Sequence, residues 1–234
     1  MTSLNGATVL VTGSNGGLGG EFVRQALARG AQKVYATARN PREWNDPRVV
    51  PLRLDVRDPE SIRRAVEAAS DATIVVNNAG LYRDGDRLTE STLDQVRDMF
   101  ETNFFGALAV GLAWAPVLRA NGGGALVDVH SLLSWVGLAG SYSASKAALW
   151  SATNSLRVEL APFGTQVVGV HLGLTETPMT AGMEGDKGDP AEVVAVTYDG
   201  LESGAHEVIA DDASANVKAG LSGPIEALYP QLTR

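Results

Sequence analysis

A tyrosine and a lysine stand four residues apart in the segment SYSASKAALW, at Tyr142 and Lys146. Apolar residues recur at helical spacing through this region, and residues i and i+4 lie one above the other on a helix. A free tyrosine has a pKa of about 10, and a neighbouring ammonium favours the phenolate. The pair is a candidate proton donor and acceptor, although a solvated lysine that covers a tyrosine ring needs no chemistry to explain it.

A glycine-rich stretch, TGSNGGLGG, follows the first apolar run and precedes a helical pattern. Its spacing is T-G-x-x-x-G-x-G, so the G-x-G-x-x-G dinucleotide fingerprint is absent. Glycines nevertheless let backbone N–H groups approach a pyrophosphate at a helix N-terminus, and the position between a strand and a helix favours phosphate binding over a merely flexible loop. The predicted cofactor contacts in this loop are Gly13, Ser14, Asn15, Gly17, Leu18 and Gly19.

The second strand ends in Ala38-Arg39-Asn40. An acidic residue at this point would accept a hydrogen bond from the ribose 2′-OH, whereas an arginine accommodates a 2′-phosphate. A guanidinium offers a fork of donors to phosphate and a flat face to adenine, so Arg39 favours NADP over NAD. Ser14 is predicted to add a hydroxyl to the same phosphate. A plain surface arginine is the alternative.

Short β-branched runs alternate with longer helical patterns. The alternation is typical of βαβ units and predicts an α/β fold: a single-domain, Rossmann-like, doubly wound parallel sheet of about seven strands with helices on both faces. The predicted strands are 7–12, 33–38, 49–55, 72–78, 124–130, 165–171 and 206–210. The predicted helices lie near 17–30, 58–70, 90–120, 141–162, 190–203 and 211–221. Pro116 is expected to bend the segment 90–120.

Composition narrows the class of protein. The length of 234 residues suits one domain, 1–234, with a large core. A formal net charge of −8 opposes binding to nucleic acid. The absence of cysteine and the scatter of the three histidines predict no metal site. The N-terminal apolar run is too short for a signal peptide or a membrane span, which predicts a cytoplasmic setting and no membrane partner.

The least regular stretch, LTETPMTAGMEGDKGDP at 174–190, follows a predicted strand. In an open α/β sheet, ligands bind outside the carboxyl ends of the strands. A glycine-rich loop at that edge is therefore predicted to act as a substrate lid, with a plain surface loop as the alternative.

Taken in order, the motifs resemble the short-chain dehydrogenase/reductase family, in its compact single-domain branch. The matching segments are TGxxxGxG at 12–19, Asp55, NNAG at 77–80, Asn103, Ser131, and Tyr142 with Lys146. Two departures stand out. Leu172-Gly173 replaces the family's Pro-Gly, and the interval between Ser131 and Tyr142 is short, which leaves Ser134 as a competing serine.

The resemblance implies further cofactor contacts. Asp55 and Val56 would contact the adenine, NNAG would steady the sheet beside the cofactor, and Thr177 would help to hold the nicotinamide carboxamide. The contacts that it adds are Asp55, Val56, Asn78, Ala79, Gly80, Tyr142, Lys146 and Thr177.

The implied catalytic set is Asn103, Ser131, Tyr142 and Lys146. Tyr142 would protonate the alkoxide that forms as hydride leaves the nicotinamide, and Ser131 would stabilise that oxygen. Lys146 would also hold the nicotinamide ribose. By the resemblance, Asn103 would orient a water that links Lys146 to solvent; an amide satisfied inside a helix is the alternative.

Apolar residues are expected around this centre. The candidate pocket residues are Tyr82, Leu132, Leu133, Trp135, Val136, Met179 and Met183. Such bulk suits a small hydrophobic ketone or secondary alcohol better than a sugar phosphate, although several of these residues could simply pack the core. The predicted function is an NADP-dependent carbonyl reductase or secondary alcohol dehydrogenase. The alternatives are a cofactor-binding sensor or scaffold without turnover, and a sugar-nucleotide epimerase or dehydratase.

Assembly into a homodimer or homotetramer is implied by the resemblance, through the helices near 90–120 and 141–162. The apolar residues that allow this pairing are Leu108, Val110, Leu112, Trp114, Leu149 and Trp150. A buried core face would look similar.

Overall fold

Seven strands form one sheet in the computed structural model, which describes residues 2–232. The strands are β1 (Thr8–Thr12), β2 (Lys33–Ala38), β3 (Val49–Arg53), β4 (Ile74–Asn77), β5 (Gly124–Val129), β6 (Thr165–His171) and β7 (Glu207–Ile209). All neighbouring pairs are parallel, in the order β3-β2-β1-β4-β5-β6-β7. The predicted Rossmann-like parallel sheet is confirmed. Its organisation as a single domain stays a prediction.

Helices connect the strands on both faces of the sheet. They are α1 (Gly17–Ala28), α2 (Pro59–Ala68), α3 (Leu93–Phe100), α4 (Ala107–Ala120), α5 (Gly140–Leu160), α6 (Pro190–Glu202), α7 (Asp212–Gly220) and α8 (Ile225–Leu228). Both α2 and α6 begin at an Asp-Pro step: Asp58 and Asp189 cap the first turn with their carboxylates, and proline takes the first helical position. Proline loses nothing there because that N–H has no helical partner.

The segment predicted as one helix over 90–120 contains a π turn at Glu101–Gly106, between α3 and α4. The α-helix continues through Pro116 to Ala120, so the interruption lies at 101–106 and not at the proline. A π turn inserts a residue into the helical repeat and changes the direction in which side chains point. Asn103 lies within it.

Side chains alternate across the sheet into two apolar layers. Val9 packs on one face with Phe22 of α1 and Tyr198 of α6, and all three are fully buried. Leu10 packs on the other face with Trp114 of α4. Each such side chain stabilises the fold by about 1.5–3 kcal/mol. The helices are thereby fixed on the sheet, and the loops at its carboxyl edge are held by both layers.

The strand order reverses direction between β1 and β4, which are neighbours although the chain visits β2 and β3 between them. The carboxyl ends of parallel strands open a crevice at such a switch point. The glycine loop follows β1, NNAG lies at the end of β4, Ser131 follows β5, and the segment 174–190 follows β6. The fold therefore brings four of the predicted site segments to one edge.

The helical segment Leu93–Ala120 is long and apolar enough, by length and composition alone, to cross a membrane. Trp114 and Val110 on this segment are fully buried against the sheet. Core helices in general pass the same test, so the expected absence of a membrane partner stays a prediction.

Candidate active site

The glycine loop is packed too tightly to hold side chains at its key positions. A Cβ on Gly19 would lie 2.1 Å from the carbonyl oxygen of Gly13 and 2.6 Å from the Nδ2 of Asn78. Gly13 and Gly17 have φ of +68° and +53°, in the left-handed region that favours glycine. The resulting cradle at the start of α1 fits the phosphates of a dinucleotide.

The NNAG segment fastens this loop to the end of β1. Asn78 Nδ2 donates to the carbonyl oxygens of Thr12, at 2.9 Å, and Gly13, at 3.2 Å. In return, Thr12 Oγ1 accepts from the backbone N–H groups of Asn78 and Ala79, at 3.0 and 2.9 Å. The threonine that opens the glycine motif thus holds β4 beside β1, a role that its sequence position did not reveal.

Thr177 reaches the same loop from the segment 174–190. Its Cβ would lie 3.2 Å from a Cβ placed on Gly17. The ends of the segment are joined by hydrogen bonds between Leu174 and Gly188, at 2.8 Å, and between Glu176 and Gly188, at 2.9 Å. The base of the predicted lid is therefore fixed next to the cradle. Its movement as a lid stays a prediction.

Arg39 lies exposed at the end of β2, beside the glycine loop. Among the residues that the structure describes, it forms no ion pair, and neither does Arg42, whose guanidinium stacks 3.9 Å from the Trp44 ring centroid. Asn15 joins the two regions, because its side chain donates to Asn40 O at 2.8 Å and accepts from Arg42 N at 3.1 Å. Two uncompensated cations thus flank the positive end of α1, an arrangement that favours an anion.

Two residues of the loop, Ser14 and Leu18, face inward. The Ser14 hydroxyl is fully buried and donates to the carbonyl oxygen of Thr37 at 3.1 Å. In this structure the Ser14 hydroxyl joins the loop to β2, and its predicted contact with a 2′-phosphate stays a prediction. Leu18 packs against the core beneath the loop.

Asp55 and Val56 follow β3. Asp55 accepts from the backbone N–H of Arg57 at 3.0 Å and donates its own N–H to Ser61 Oγ at 3.0 Å. Val56 is buried against Gly106 of the π turn, where an added Cβ would lie 2.7 Å from Val56 Cγ2. The adenine contact of both residues stays a prediction.

Ser131 and Tyr142 meet at the carboxyl edge of the sheet. The Ser131 hydroxyl is near enough to the Tyr142 phenol to lower its pKa, and it accepts from Leu133 N at 3.1 Å. The Ser134 hydroxyl instead accepts from the backbone N–H of Ser131 at 3.4 Å. Of the two serines that the sequence offered, Ser131 is the one beside the tyrosine.

Lys146 lies one turn further along α5, as its spacing from Tyr142 predicts. Its Nζ donates to the carbonyl oxygen of Val129 at 2.8 Å and lies 5.9 Å from the centre of the Tyr142 ring. Burial lowers the pKa of Lys146 to about 8, and the negative charge of Asp128 opposes that shift. The ammonium is thus enclosed next to the phenol.

The expected acidification of the phenol by Lys146 is not seen in this structure. Burial raises the pKa of Tyr142 to about 12, the hydrogen bond with Ser131 lowers it, and Tyr82 raises it. The reason is physical: an apolar enclosure disfavours the phenolate, and Lys146 directs its ammonium to Val129. The Tyr142 phenol therefore keeps its proton at neutral pH.

Asn103 is satisfied mainly by the loop after β4, and its Nδ2 also donates to Met99 Sδ, one turn earlier in its own helical segment, at 3.2 Å. Its Oδ1 accepts from Leu81 N at 2.7 Å, and its Nδ2 donates to Leu81 O at 2.8 Å and to Ser145 Oγ at 3.2 Å. A Cβ on Gly80 would lie 3.6 Å from Asn103 Oδ1 and 3.9 Å from Lys146 Nζ. The structure brings these three residues together, and the predicted water link stays untested.

Apolar residues surround the tyrosine. Tyr82 packs edge-on against Tyr142, with ring centres 5.2 Å apart, and Leu133 packs against the same cluster. Leu132 lies beside Gly173, at the entry to the segment 174–190. These positions agree with an apolar pocket wall near Tyr142.

The other four candidate pocket residues differ in burial. Trp135 stacks on His171, with ring centres 3.9 Å apart, so the ring is used in packing. Val136 is also buried. Met179 is exposed and Met183 half-buried on the segment 174–190. Trp135 and Val136 line a cavity together with Leu133 and Ser134, so their part in a substrate pocket stays a prediction.

Three residues that the sequence analysis missed support the site. The buried Asp128 carboxylate accepts from Asn77 Nδ2 at 2.9 Å and from Thr153 Oγ1 at 2.7 Å. Asp86 contacts the start of α5 through Ser141 N at 2.9 Å. The Tyr229 hydroxyl, near the end of the chain, accepts from Gly137 N at 2.8 Å. No local pattern marks these residues.

The sheet, the glycine cradle at its switch point and the serine, tyrosine and lysine beside it define a dinucleotide-binding α/β protein of the Rossmann class. The model of the short chain dehydrogenase family matches residues 7–188. The chain belongs to the short-chain dehydrogenase family.

Known proteins of this family resemble the chain closely in fold. A short chain dehydrogenase from Burkholderia cenocepacia J2315, solved in complex with NADP, superposes with a TM-score of 0.92 at 36% identity and covers 99% of this chain and 100% of its own. Short-chain dehydrogenase ptmH of Penicillium ochrochloron is 37% identical over 187 residues, which are 73% of this chain and 66% of that protein. The chain thus spans just under two thirds of that relative's length.

A third relative matches over nearly equal shares of the two chains. The NADP-dependent 3-hydroxy acid dehydrogenase of Schizosaccharomyces pombe is 31% identical over 206 residues, which are 80% of this chain and 79% of that enzyme.

Proposed function

We propose that this protein is an NADP-dependent oxidoreductase that interconverts a small hydrophobic ketone and the secondary alcohol. The observation that carries the proposal is the grouping of Ser131, Tyr142 and Lys146 at the switch-point crevice, where Ser131 lowers the pKa of Tyr142 and the Lys146 ammonium lies 5.9 Å from the centre of the phenol ring. The solved relative in complex with NADP and the relative named as NADP-dependent support the choice of cofactor.

Different residues of this chain would bind the cofactor and donate the proton. The glycine cradle and Arg39 would hold the dinucleotide, and Lys146 would hold the nicotinamide ribose. When bound, the nicotinamide supplies a hydride. Ser131 and Tyr142 donate hydrogen bonds to the carbonyl oxygen of the substrate, and Tyr142 gives up its proton as negative charge develops on that oxygen. The positive charge of Lys146 then stabilises the phenolate that remains.

The test is turnover with purified protein, NADPH and a panel of aryl and alkyl ketones, diketones and quinones, followed by cofactor absorbance. Oxidation of NADPH that depends on the ketone supports the proposal. Tight NADPH binding without reduction of any ketone, and without oxidation of any secondary alcohol, would support the cofactor-binding sensor or scaffold instead.

Arg39→Asp is expected to reverse the cofactor preference. The substitution removes the guanidinium fork from the 2′-phosphate and supplies a carboxylate that can accept from a free 2′-OH. A hydrogen bond to a charged group contributes about 1.5–3 kcal/mol, so KM for NADPH should rise by about 10- to 100-fold while KM for NADH falls. Steady-state kinetics with both cofactors measure the change.

Arg119→Asp is the matched control, since it makes the same charge change on an exposed arginine at the end of α4, before β5. Its two KM values should stay within about two-fold of the original protein's. An unchanged NADPH preference in Arg39→Asp would show that other residues select the cofactor.

Ketone reduction is expected to lose efficiency as pH rises through about 8, the pKa to which burial lowers Lys146. Below that pH the amine carries its charge, and above it the ammonium is lost while the Tyr142 phenol, with a pKa of about 12, stays protonated. The alkaline limb of kcat/KM for NADPH therefore belongs to Lys146.

Asp128→Asn should move that limb to lower pH, because the carboxylate favours the Lys146 ammonium. Asparagine can keep both hydrogen bonds, accepting from Asn77 and donating to Thr153, whose own hydroxyl already donates to Leu149 O at 2.9 Å. Coincident pH profiles for the two proteins would contradict the assignment.

We also propose a cytoplasmic setting and a homo-oligomer formed through the α4 and α5 faces. Val110, Trp114 and Leu149 belong to the core, so they do not support the pairing that their positions suggested. Leu112 and Val158, on α4 and α5, are 55% and 74% exposed and do support it. Solution mass measurement tests the assembly.

A further inference from the structure

The catalytic helix α5 begins without a cap of its own. The residue before it is Ala139, which has no side-chain acceptor, and the first turn contains no acidic residue. The first N–H groups of a helix have no partner within the helix, and they are usually satisfied by a neighbouring side chain. In α5 this end matters, because Tyr142 is the third residue of the helix.

Asp86 supplies the missing acceptor from the loop 81–92. One carboxylate oxygen accepts from Ser141 N at 2.9 Å and from the Ser141 hydroxyl, and the other accepts from Ser91 Oγ at 2.8 Å. Burial raises the pKa of Asp86, but these hydrogen bonds outweigh burial, so the pKa lies below its usual value. A carboxylate is stabilised at a helix N-terminus.

The backbone of the loop 81–92 approaches the start of α5 closely. Gly140 has φ of +49°, and a Cβ there would lie 2.5 Å from the carbonyl oxygen of Asp86. Only glycine lets the loop come this near to the helix without strain. The same loop carries Tyr82, whose ring packs on that of Tyr142.

We propose that Asp86 is a positioning residue, whose carboxylate joins the loop 81–92 to the start of α5 and so fixes Tyr142 against Ser131. The proposal rests on the proposed function, since it assigns Asp86 an effect on the proton donor. It predicts that loss of the carboxylate impairs the chemical step and leaves cofactor binding intact, because the hydrogen bonds that fasten the glycine cradle come from Asn78 and not from Asp86.

The test compares Asp86→Ala with Asp84→Ala, an exposed acid two residues away. Asp86→Ala should lower kcat by about 10- to 100-fold, the size of effect that a displacement of about 1 Å produces, with NADPH Kd within about two-fold. Asp84→Ala should match the original protein in both. Asp86→Asn keeps an acceptor for Ser141 N and should recover most of the lost kcat.

Hydrogen exchange supplies a readout that does not need turnover. In Asp86→Ala, amides of the first turn of α5 and of the loop 81–92 should exchange at least about ten-fold faster, while those of α1 are unchanged. Ser141→Ala removes only the hydroxyl donor and should accelerate exchange of the same amides by a smaller factor. It replaces Asp86→Ala in this experiment if that variant fails to fold.

The two possible failures are distinguishable. If the original protein reduces no ketone, the proposed function fails, and hydrogen exchange alone decides whether Asp86 fixes the helix start. If the original protein is active and Asp86→Ala keeps kcat within about two-fold, or if NADPH Kd rises as kcat falls, positioning of Tyr142 by Asp86 is overturned.

Discussion

Tyr142→Phe is expected to lower kcat for ketone reduction by about 1,000-fold and to leave NADPH Kd within about two-fold. The variant keeps the ring that packs against Tyr82 but removes the phenolic proton beside the Ser131 hydroxyl. Without it, the developing alkoxide keeps one hydrogen bond, from Ser131, and must take its proton from water. Stopped-flow reduction measures the chemical step, and fluorescence titration measures NADPH binding.

Tyr35→Phe is the control for this variant. Tyr35 lies in β2, where its hydroxyl donates to Asp71 at 2.8 Å, away from the carboxyl edge of the sheet. It should change kcat by less than about two-fold. Tyr142→Phe with more than about a tenth of the original kcat would show that another group donates the proton, and the assignment of Tyr142 would fail.

Sequence patterns predicted correctly the elements that are determined by residues close together in the chain. Runs of β-branched residues are read correctly as strands because both faces of a parallel sheet are buried, so β2 and β6 begin and end at the predicted residues. The glycines at the end of β1 also predicted a tight loop from a local cause. A side chain on Gly19 would collide with the carbonyl oxygen of Gly13, six residues earlier in the same loop.

Features that depend on distant contacts were missed. The Ser14 hydroxyl could have faced either solvent or β2, and only the position of Thr37, 23 residues away, decides between them. The acceptor for the start of α5 comes from Asp86, 55 residues before Ser141. Trp135 follows Ser131 closely, but its ring packs on His171 of β6. Spacing along the chain carries no information on such pairs.

The acidity of Tyr142 shows a second limit. A motif identifies the neighbours of a phenol, and the sequence analysis accordingly assigned the largest effect to Lys146. In the folded protein, burial has the largest effect on the pKa of Tyr142 and acts in the opposite direction. The extent of burial depends on the cluster of Met99, Ala139 and Leu133 around the ring, which three separate parts of the chain provide. Motif and environment therefore have to be weighed together.

Gly19→Ala is expected to raise NADPH Kd by at least about 100-fold. The new Cβ would lie 2.1 Å from Gly13 O and 2.6 Å from Asn78 Nδ2, and neither neighbour can move freely. Asn78 is held by Thr12 O at 2.9 Å, and Gly13 is the turn residue that ends β1. The loop must therefore shift away from α1, which displaces the N–H groups that would meet the pyrophosphate; loss of two hydrogen bonds to a charged group costs about 3–6 kcal/mol.

Gly16→Ala makes the same chemical change three residues earlier in the loop, where an added Cβ meets no atom within 4 Å. Its φ of −177° is an extended conformation that any residue adopts, so NADPH Kd should stay within about three-fold. Thermal unfolding of both variants without cofactor separates a damaged loop from a damaged fold. If Gly19→Ala bound NADPH as tightly as Gly16→Ala does, the cradle at the start of α1 would not be where the pyrophosphate lies.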